Sequence, residues 1–489
     1  MRRVGYIWIT WCITVPAVAQ SPEPSKPSAA AADPAGWAGA WSGLLDVGPM
    51  KIRIIFNVAR QQPDGYSATI DSPDQNVMGI PVTQVRVRGE KITLSASSIG
   101  GVFKGTREQG TIKGAWTQGG RKTPLDLARG AAAAAVNRPQ TPKPPFPYDD
   151  ETVRIENPQA KGVTLAGTLT LPHNVRPAPA VLLISGSGPQ DRDEFLLSHR
   201  PFAVLADHLA RQGIAVLRCD DRGVGESTGD FAAATTRDFA SDAAAALAWL
   251  RTRPEIAANR IGLIGHSEGG LIAPIVAAEP SHGVAFMVLM AGLGVPGEEI
   301  IMLQGDLLSR AAGEPEPAIA AERKVRAEIF AVLKSEPDQE MAAQKLKPII
   351  RAKLEQVPPA QRGSDDQLDQ LVQSRIDACN TAWFRFFLTY DPRPGLARVT
   401  CPVLALNGEK DLQVDPKQNL PEIVKALKAG GNRNVTTIEL PGLNHLFQSC
   451  TTGSSNEYGS IEETLNPAAM KAISDWLKRV AGEPVRKAG

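Results

Sequence analysis

Arg260-Ile-Gly-Leu-Ile-Gly265-His-Ser267-Glu-Gly-Gly270-Leu-Ile-Ala-Pro-Ile-Val-Ala-Ala278 decides the reading of this chain. The residues before Gly265 have the apolar, β-branched character of a strand, and those after Gly269 the composition of a helix. Only the sharp turn Gly265-His-Ser-Glu-Gly269 separates them. A nucleophilic serine sits on such a turn, because the strained backbone lifts its hydroxyl above the sheet and small neighbours make room for it. In a chain with 44 glycines the spacing alone says little. The flanking strand and helix give it force.

Outward from this turn the pattern alternates. Two strands, Thr152–Glu156 and Val163–Leu171, open as an antiparallel edge. Ala180–Ser185, Ile214–Cys219, Ile261–Gly265 and Ala285–Ala291 are apolar runs of the kind buried on both faces of a sheet. Amphipathic stretches at Phe202–Gln212, Phe239–Thr252 and Gly270–Ala278 lie between them. The alternation predicts an α/β fold, a mostly parallel, doubly wound sheet. Strand signals stop from Pro296 to about Leu388, where charged helices with proline breaks predict a helical cap inserted in one crossover. The alternation then resumes with Pro402–Asn407, Glu422–Lys428, Val435–Leu440 and a last helix at Ala468–Val480. The catalytic unit is therefore expected over 151–489.

A serine hydroxyl needs a base to remove its proton, and on such a sheet the chain order is serine, acid, histidine. Among six histidines, His445 follows both the turn and the later strands; His282 stands just after the elbow helix. His266 is expected to point away from its neighbour Ser267 and pack beneath the turn. The acid falls on Asp411, just past the strand in Pro402-Val-Leu-Ala-Leu-Asn-Gly-Glu-Lys-Asp411, with Asp415 as competitor and Glu409 and Asp391 behind it. An oxyanion needs backbone N–H donors. One comes from Glu268, after the serine. The other belongs to Ser185-Gly-Ser-Gly-Pro-Gln190 and is assigned to Ser187, with Gly186 and Gly188 as register alternatives.

The N-terminal third has a different texture. Met1-Arg2-Arg3, an apolar run from Val4 to Val15, and Ala17-Val18-Ala19 make up a secretory signal peptide cut after Ala19, which predicts an exported, periplasmic or secreted protein. Residues 36–129 carry short alternating runs, including Val85-Arg-Val-Arg88, and a hairpin turn at Asp64-Gly65. They predict a small antiparallel barrel or sandwich with Trp37, Trp41 and Trp116 in its core. Residues 130–150, rich in alanine and then proline, read as a semi-rigid linker that few contacts cross. On that reading a chain beginning at Tyr148 keeps at least about a tenth of the full activity.

The balance of 53 basic and 52 acidic residues offers no electrostatic case for nucleic acid, and no second apolar stretch is long enough for stable membrane insertion. Past Cys12, four widely spaced cysteines suggest no zinc or redox motif, and Cys379–Cys450 is the expected pair if one disulfide forms.

Ser185-Gly-Ser-Gly-Pro-Gln-Asp-Arg-Asp193, Asp220-Asp-Arg-Gly-Val-Gly-Glu-Ser-Thr-Gly229, Gly265-His-Ser-Glu-Gly-Gly270 and Gly408-Glu-Lys-Asp411 together resemble the exported bacterial carboxylesterases of the α/β-hydrolase superfamily, a branch also labelled serine aminopeptidase-like. The resemblance runs from about Glu151 to the end and matches the cap least. It implies hydrolysis of small acyl esters through an acyl-Ser267 intermediate, with no cofactor and no metal. Gly39-Ala-Trp41, Ser72-Pro-Asp-Gln75 and Gly114-Ala-Trp116 resemble an accessory β-domain found on some of these enzymes. The Asp220–Gly229 segment is expected to shape a loop, with Arg222 holding carboxylates. Two alternatives stay open: an aminopeptidase or amidase on the same triad, with Glu298 or Glu299 receiving a substrate ammonium, and a non-catalytic binding protein using the cap or β-domain. Natural substrate and oligomeric state are not legible.

Overall fold

A computed structural model describes residues 36–47, 51–61, 65–75, 77–118, 121–130, 137–356 and 365–482. The expected signal peptide and Asp64 lie outside the described residues.

The alternating N-terminal third forms ten strands: β1 (Gly39–Asp46), β2 (Lys51–Gln61), β3 (Gly65–Ser72), β4 (Val77–Val82), β5 (Gln84–Arg88), β6 (Lys91–Ala96), β7 (Gly101–Glu108), β8 (Thr111–Gln118), β9 (Arg121–Pro124) and β10 (Leu127–Arg129). They pair antiparallel in the order β4-β3-β2-β1-β10-β8-β7-β6-β5, with β9 on β8. In β2, Ile52, Ile54, Phe56 and Val58 face inward, as the two-residue period of a strand requires. The ends of the sheet approach each other, so it curls around its own apolar face. Trp37, Trp41 and Trp116 are buried there with Phe56 and Phe103, whose rings lie 5.3 Å apart. Two side chains from the other half of the molecule, Leu197 and Tyr458, complete this core.

The second sheet contains β11 (Tyr148–Glu156), β12 (Thr164–Pro172), β13 (Ala178–Ile184), β14 (Ala215–Cys219), β15 (Ile256–His266), β16 (Met287–Met290), β17 (Val403–Gly408) and β18 (Val435–Leu440). Its order is β11-β12-β14-β13-β15-β16-β17-β18; β11, β12 and β14 pair antiparallel and the rest parallel. Every residue of β13, β16 and β17 is buried, the reason these strands read as unbroken apolar runs. Helices α1 (Pro201–Arg211), α2 (Thr236–Arg251) and α3 (Gly269–Ala277) cover the sheet early in the chain. The cap holds α4 (Gly297–Ala311), α5 (Glu316–Ser335), α6 (Gln339–Glu355), α7 (Asp365–Cys379) and α8 (Ala382–Thr389). It has a separate core in which Phe330, Leu346, Val372 and Ile376 meet. The short α9 (Arg393–Leu396) returns the chain to β17, and α10 (Pro416–Ala429) and α11 (Pro467–Ala481) finish the layers. None of the described helices is long and apolar enough to cross a membrane.

Two expectations are corrected. The proline-rich stretch does not hold the halves apart. Arg138 donates to the carbonyls of Leu197 at 2.7 Å and Gly459 at 3.1 Å, and Gln140 donates to Leu465 O at 2.6 Å while accepting its N–H. A spacer carries no such side-chain anchors, and these two residues strap it onto the second domain. The Cys379–Cys450 disulfide is not formed. The Cys379 thiol faces Ile376 O in the cap, whereas the Cys450 thiol faces Gly442 O in the loop after β18.

Candidate active site

The site grows from the turn between β15 and α3. Ser267 has φ +53°, a conformation unfavourable for any residue with a side chain, and its N–H is held by Met290 O at 2.9 Å. The glycines beside it are obligatory for space. A Cβ on Gly265 would lie 2.0 Å from Gly269 O, and one on Gly269 would lie 2.1 Å from Ile184 O. The Ser267 hydroxyl is buried and makes no hydrogen bond among the described residues.

His445 follows β18 and is buried, with Nδ1 2.8 Å from Asp411 Oδ2. Asp411 lies just beyond β17. Its second oxygen accepts the N–H groups of Gln413 and Val414, each at 2.8 Å, so the carboxylate is fixed before it meets the imidazole. His445 Nε2 makes no hydrogen bond among the described residues. The competing acids are otherwise engaged: Asp415 caps α10 by accepting from Gln418 N, Asp391 binds Arg393, and Glu409 accepts from Gly442 N.

The Ser185–Gln190 loop lies against the serine: a Cβ on Gly186 would be 3.3 Å from Ser267 Cβ. The Gly186 N–H is spent on Glu194 Oε1 at 2.7 Å. Among the described residues, the Ser187 and Glu268 amides are not engaged elsewhere, and Glu268 also opens α3, whose positive end favours a developing anion. Asp221 ties the loop down by accepting from Ser185 Oγ at 2.9 Å and Gln190 N at 3.0 Å; burial drives its carboxyl well above the ordinary range. Arg222 grips Asp242 of α2 at 2.7 Å and 2.9 Å, a bracing role rather than a chemical one.

The side chains of four residues, Glu268, Ser187, His266 and Glu194, have surroundings that the sequence did not announce. The Glu268 side chain accepts from Thr236 Oγ1 and from Trp383 Nε1 of the cap, each at 2.7 Å, joining α2, the cap and the turn. Burial raises the pKa of that carboxyl. The Ser187 hydroxyl approaches it without full hydrogen-bond geometry, leaving its oxygen buried and unpartnered. His266 is buried beneath the turn, and its Nδ1 lies 2.8 Å from Glu194 Oε1. Glu194 directly follows the quoted Asp191-Arg-Asp193 motif, where it reads as one more loop charge. A cavity of about 50 Å³ opens between Gly186 and Glu268, lined in part by Leu182, Cys219, Phe239 and Ile272. Among the described residues no group of three or more His, Cys, Asp or Glu side chains is arranged to hold a metal ion.

The strand order and the serine turn define an α/β-hydrolase fold. The chain belongs to the X-Pro dipeptidyl-peptidase (S15) family, whose model matches residues 161–445. It is 26% identical over 286 residues to the esterase EstD of Thermotoga maritima, a match covering 58% of each chain. The chain thus spans less than two thirds of that relative's length. Among solved structures it is similar to the Pyrococcus furiosus esterase Pf2001, at 16% identity and TM-score 0.40 over 72% of this chain and 100% of that one. The proline iminopeptidase of Mycobacterium smegmatis gives 17% identity and TM-score 0.41 over 68% and 99%.

Proposed function

We propose that this chain is an exported serine carboxylesterase acting on small acyl esters. The observation that carries the reading is the Asp411–His445 pair, whose ring lies 4.9 Å from that of His266, the residue before a serine held at positive φ. Ser267 Oγ attacks the acyl carbon and gives its proton to His445 Nε2, while Asp411 holds Nδ1 and stabilises the imidazolium. The oxyanion lies on the amides of Ser187 and Glu268. Collapse expels the alcohol, protonated by His445, and leaves acyl-Ser267. Water, deprotonated by His445, then attacks the acyl carbon, and the serine leaves with the imidazolium proton. The esterase relative supports ester substrates. Export is supported by the charged, apolar and small-residue sequence of 1–19.

The family's description favours a second reading, cleavage of a peptide bond by the same residues. It stands behind the first because Glu298 is paired with Lys334 at 2.6 Å and Glu299 faces solvent, leaving neither to receive a buried ammonium. Parallel kcat/KM measurements on p-nitrophenyl acyl esters and on aminoacyl- and Xaa-Pro-nitroanilides decide between them. Ester turnover at least about 10²-fold faster supports the esterase, allowing for the readier cleavage of esters. Faster anilide turnover would reverse the order. Turnover of neither, with no labelling of Ser267 by a fluorophosphonate, would leave a binding protein.

A further inference from the structure

We propose that Glu194 and His266 form a second carboxylate–imidazole pair that positions the catalytic groups, and that the N-terminal β-domain seats it. The proposal rests on the hydrolase reading above.

The segment joining the serine loop to α1 is strained. Glu194, Leu197 and Ser198 have φ of +52°, +52° and +67°, where L-residues are seldom found. Such a conformation persists only where the surroundings hold it. The β-domain supplies the hold. Leu197 is buried in its apolar core, its N–H donates to Asp74 O at 3.1 Å, and Ser198 Oγ accepts from Arg53 Nη2 at 3.0 Å. Arg53 is itself clamped to the Asp74 carboxylate.

At the other end of the same segment, one oxygen of Glu194 accepts both the Gly186 N–H and His266 Nδ1. His266 Nε2 lies 3.1 Å from the carbonyl oxygen of His445. Both ring nitrogens therefore face acceptors, and both bonds are made only when the ring carries two protons. The groups around it are Glu194 from the strained segment, His445 from the loop after β18, and Asp411 from the loop after β17. Burial alone would strip the second proton. The charge and hydrogen bond of Glu194, the His445 carbonyl and the field of Asp411 outweigh burial, so the pKa lies above the ordinary imidazole value.

This pair touches no substrate. It fixes the backbone of the serine loop at Gly186, one residue before the Ser187 amide assigned to the oxyanion. It also fixes the backbone of the catalytic histidine. Tyr458, the other side chain lent to the β-domain core, lies farther along that histidine loop. The β-domain thus braces both loops from outside, the opposite of a unit tethered by a spacer.

The test uses full-length protein, a p-nitrophenyl ester and fluorophosphonate labelling of Ser267. Glu194→Ala should lower kcat on the order of 10²-fold, the usual loss when an oxyanion donor is misplaced, with KM within about threefold. Glu194→Gln keeps an acceptor for Gly186 N and should recover to within about tenfold of wild type. Without its counter-charge, His266 loses its second proton sooner, so the alkaline fall in kcat should move to lower pH. Leu197→Asn tolerates the positive φ but forfeits the apolar seat. It should lose about tenfold or more in kcat, and combined with Glu194→Ala it should be little worse than Glu194→Ala alone. An active wild type with Glu194→Ala within about threefold of it, or two losses that multiply, would overturn the proposal alone. A wild type neither active nor labelled would overturn the hydrolase reading and this proposal with it. If Glu194→Ala does not fold, the alkaline limb of Glu194→Gln decides: displacement upholds the proposal and coincidence with wild type overturns it.

Discussion

Two carboxylate–imidazole pairs lie side by side, their rings 4.9 Å apart and each closed by a bond of 2.8 Å, yet they are built for different work. Asp411 stands at the end of a buried strand and is fixed by two backbone amides next to it in sequence. Its partner, His445, has one nitrogen committed and the other available. Glu194 stands on a strained segment whose far end is buried in another domain, and both nitrogens of its partner, His266, are committed. On the proposed mechanism, the difference separates a pair that exchanges protons from a pair that holds shape. A ring with no uncommitted nitrogen is a poor general base, however close it lies to the serine.

The comparison breaks most easily at its chemical end. Ser267→Ala or His445→Ala should lower kcat by about 10⁶-fold, and the double substitution should be little worse. Asp411→Asn should cost on the order of 10⁴-fold, through the wrong tautomer, with circular dichroism unchanged. A chain beginning at Tyr148 uncovers Leu197 and Tyr458, and its kcat on a soluble ester should fall on the order of 10²-fold, reversing the expectation drawn from the linker's composition. A truncated enzyme with full kcat would reduce the β-domain to a tether.

Stability should respond to pH at both edges of the docked region. His199 is buried against Thr464 Oγ1, Tyr458 O and Gln448. Burial, partly offset by the Tyr458 carbonyl and reinforced by Arg138, lowers its pKa to about 4. A depressed base stabilises the fold above its ordinary value near 6.5 and loses that contribution as pH falls toward 4, on the order of 3 kcal/mol in full. His266 has the opposite sign, contributing fully below about 6.5 and less as pH rises through its raised pKa. Thermal melts from pH 4 to 9 should show both limbs, and His199→Gln should flatten the acid one. The smallest effect belongs to the competing acid. Asp415→Ala removes a helix cap, costing about 1 kcal/mol in a melt and leaving kcat unchanged.

The catalytic sheet was legible because its signals are local. Strands buried on both faces must be apolar throughout, and expected and observed bounds differ by a few residues; Val435–Leu440 coincides. The Asp411–His445 pairing was legible through chain order, since each follows a strand end. The bracing pair was not. Nothing in Phe195-Leu-Leu-Ser198 announces a leucine at positive φ, and a glutamate after Asp191-Arg-Asp193 has the composition of a solvated loop. His266 read as packing, which is half of its role; its two polar partners come from residues 72 and 179 positions away. The linker misled for the same reason. Its prolines encode stiffness, but whether Arg138 and Gln140 find carbonyls is decided by a surface assembled from Leu197 and from residues more than 300 positions later.

Leu197 and Tyr458 belong by sequence to the sheet-and-cap unit and by packing to the barrel, with a consequence for how such chains can be recombined. A gene fusion that placed this barrel before an unrelated hydrolase would deliver a fold with two side chains missing from its interior. A hydrolase half that lost its barrel would present those same side chains to water. What can be exchanged intact is the barrel together with the two loops that fill it, a unit discontinuous along the gene and continuous only in space.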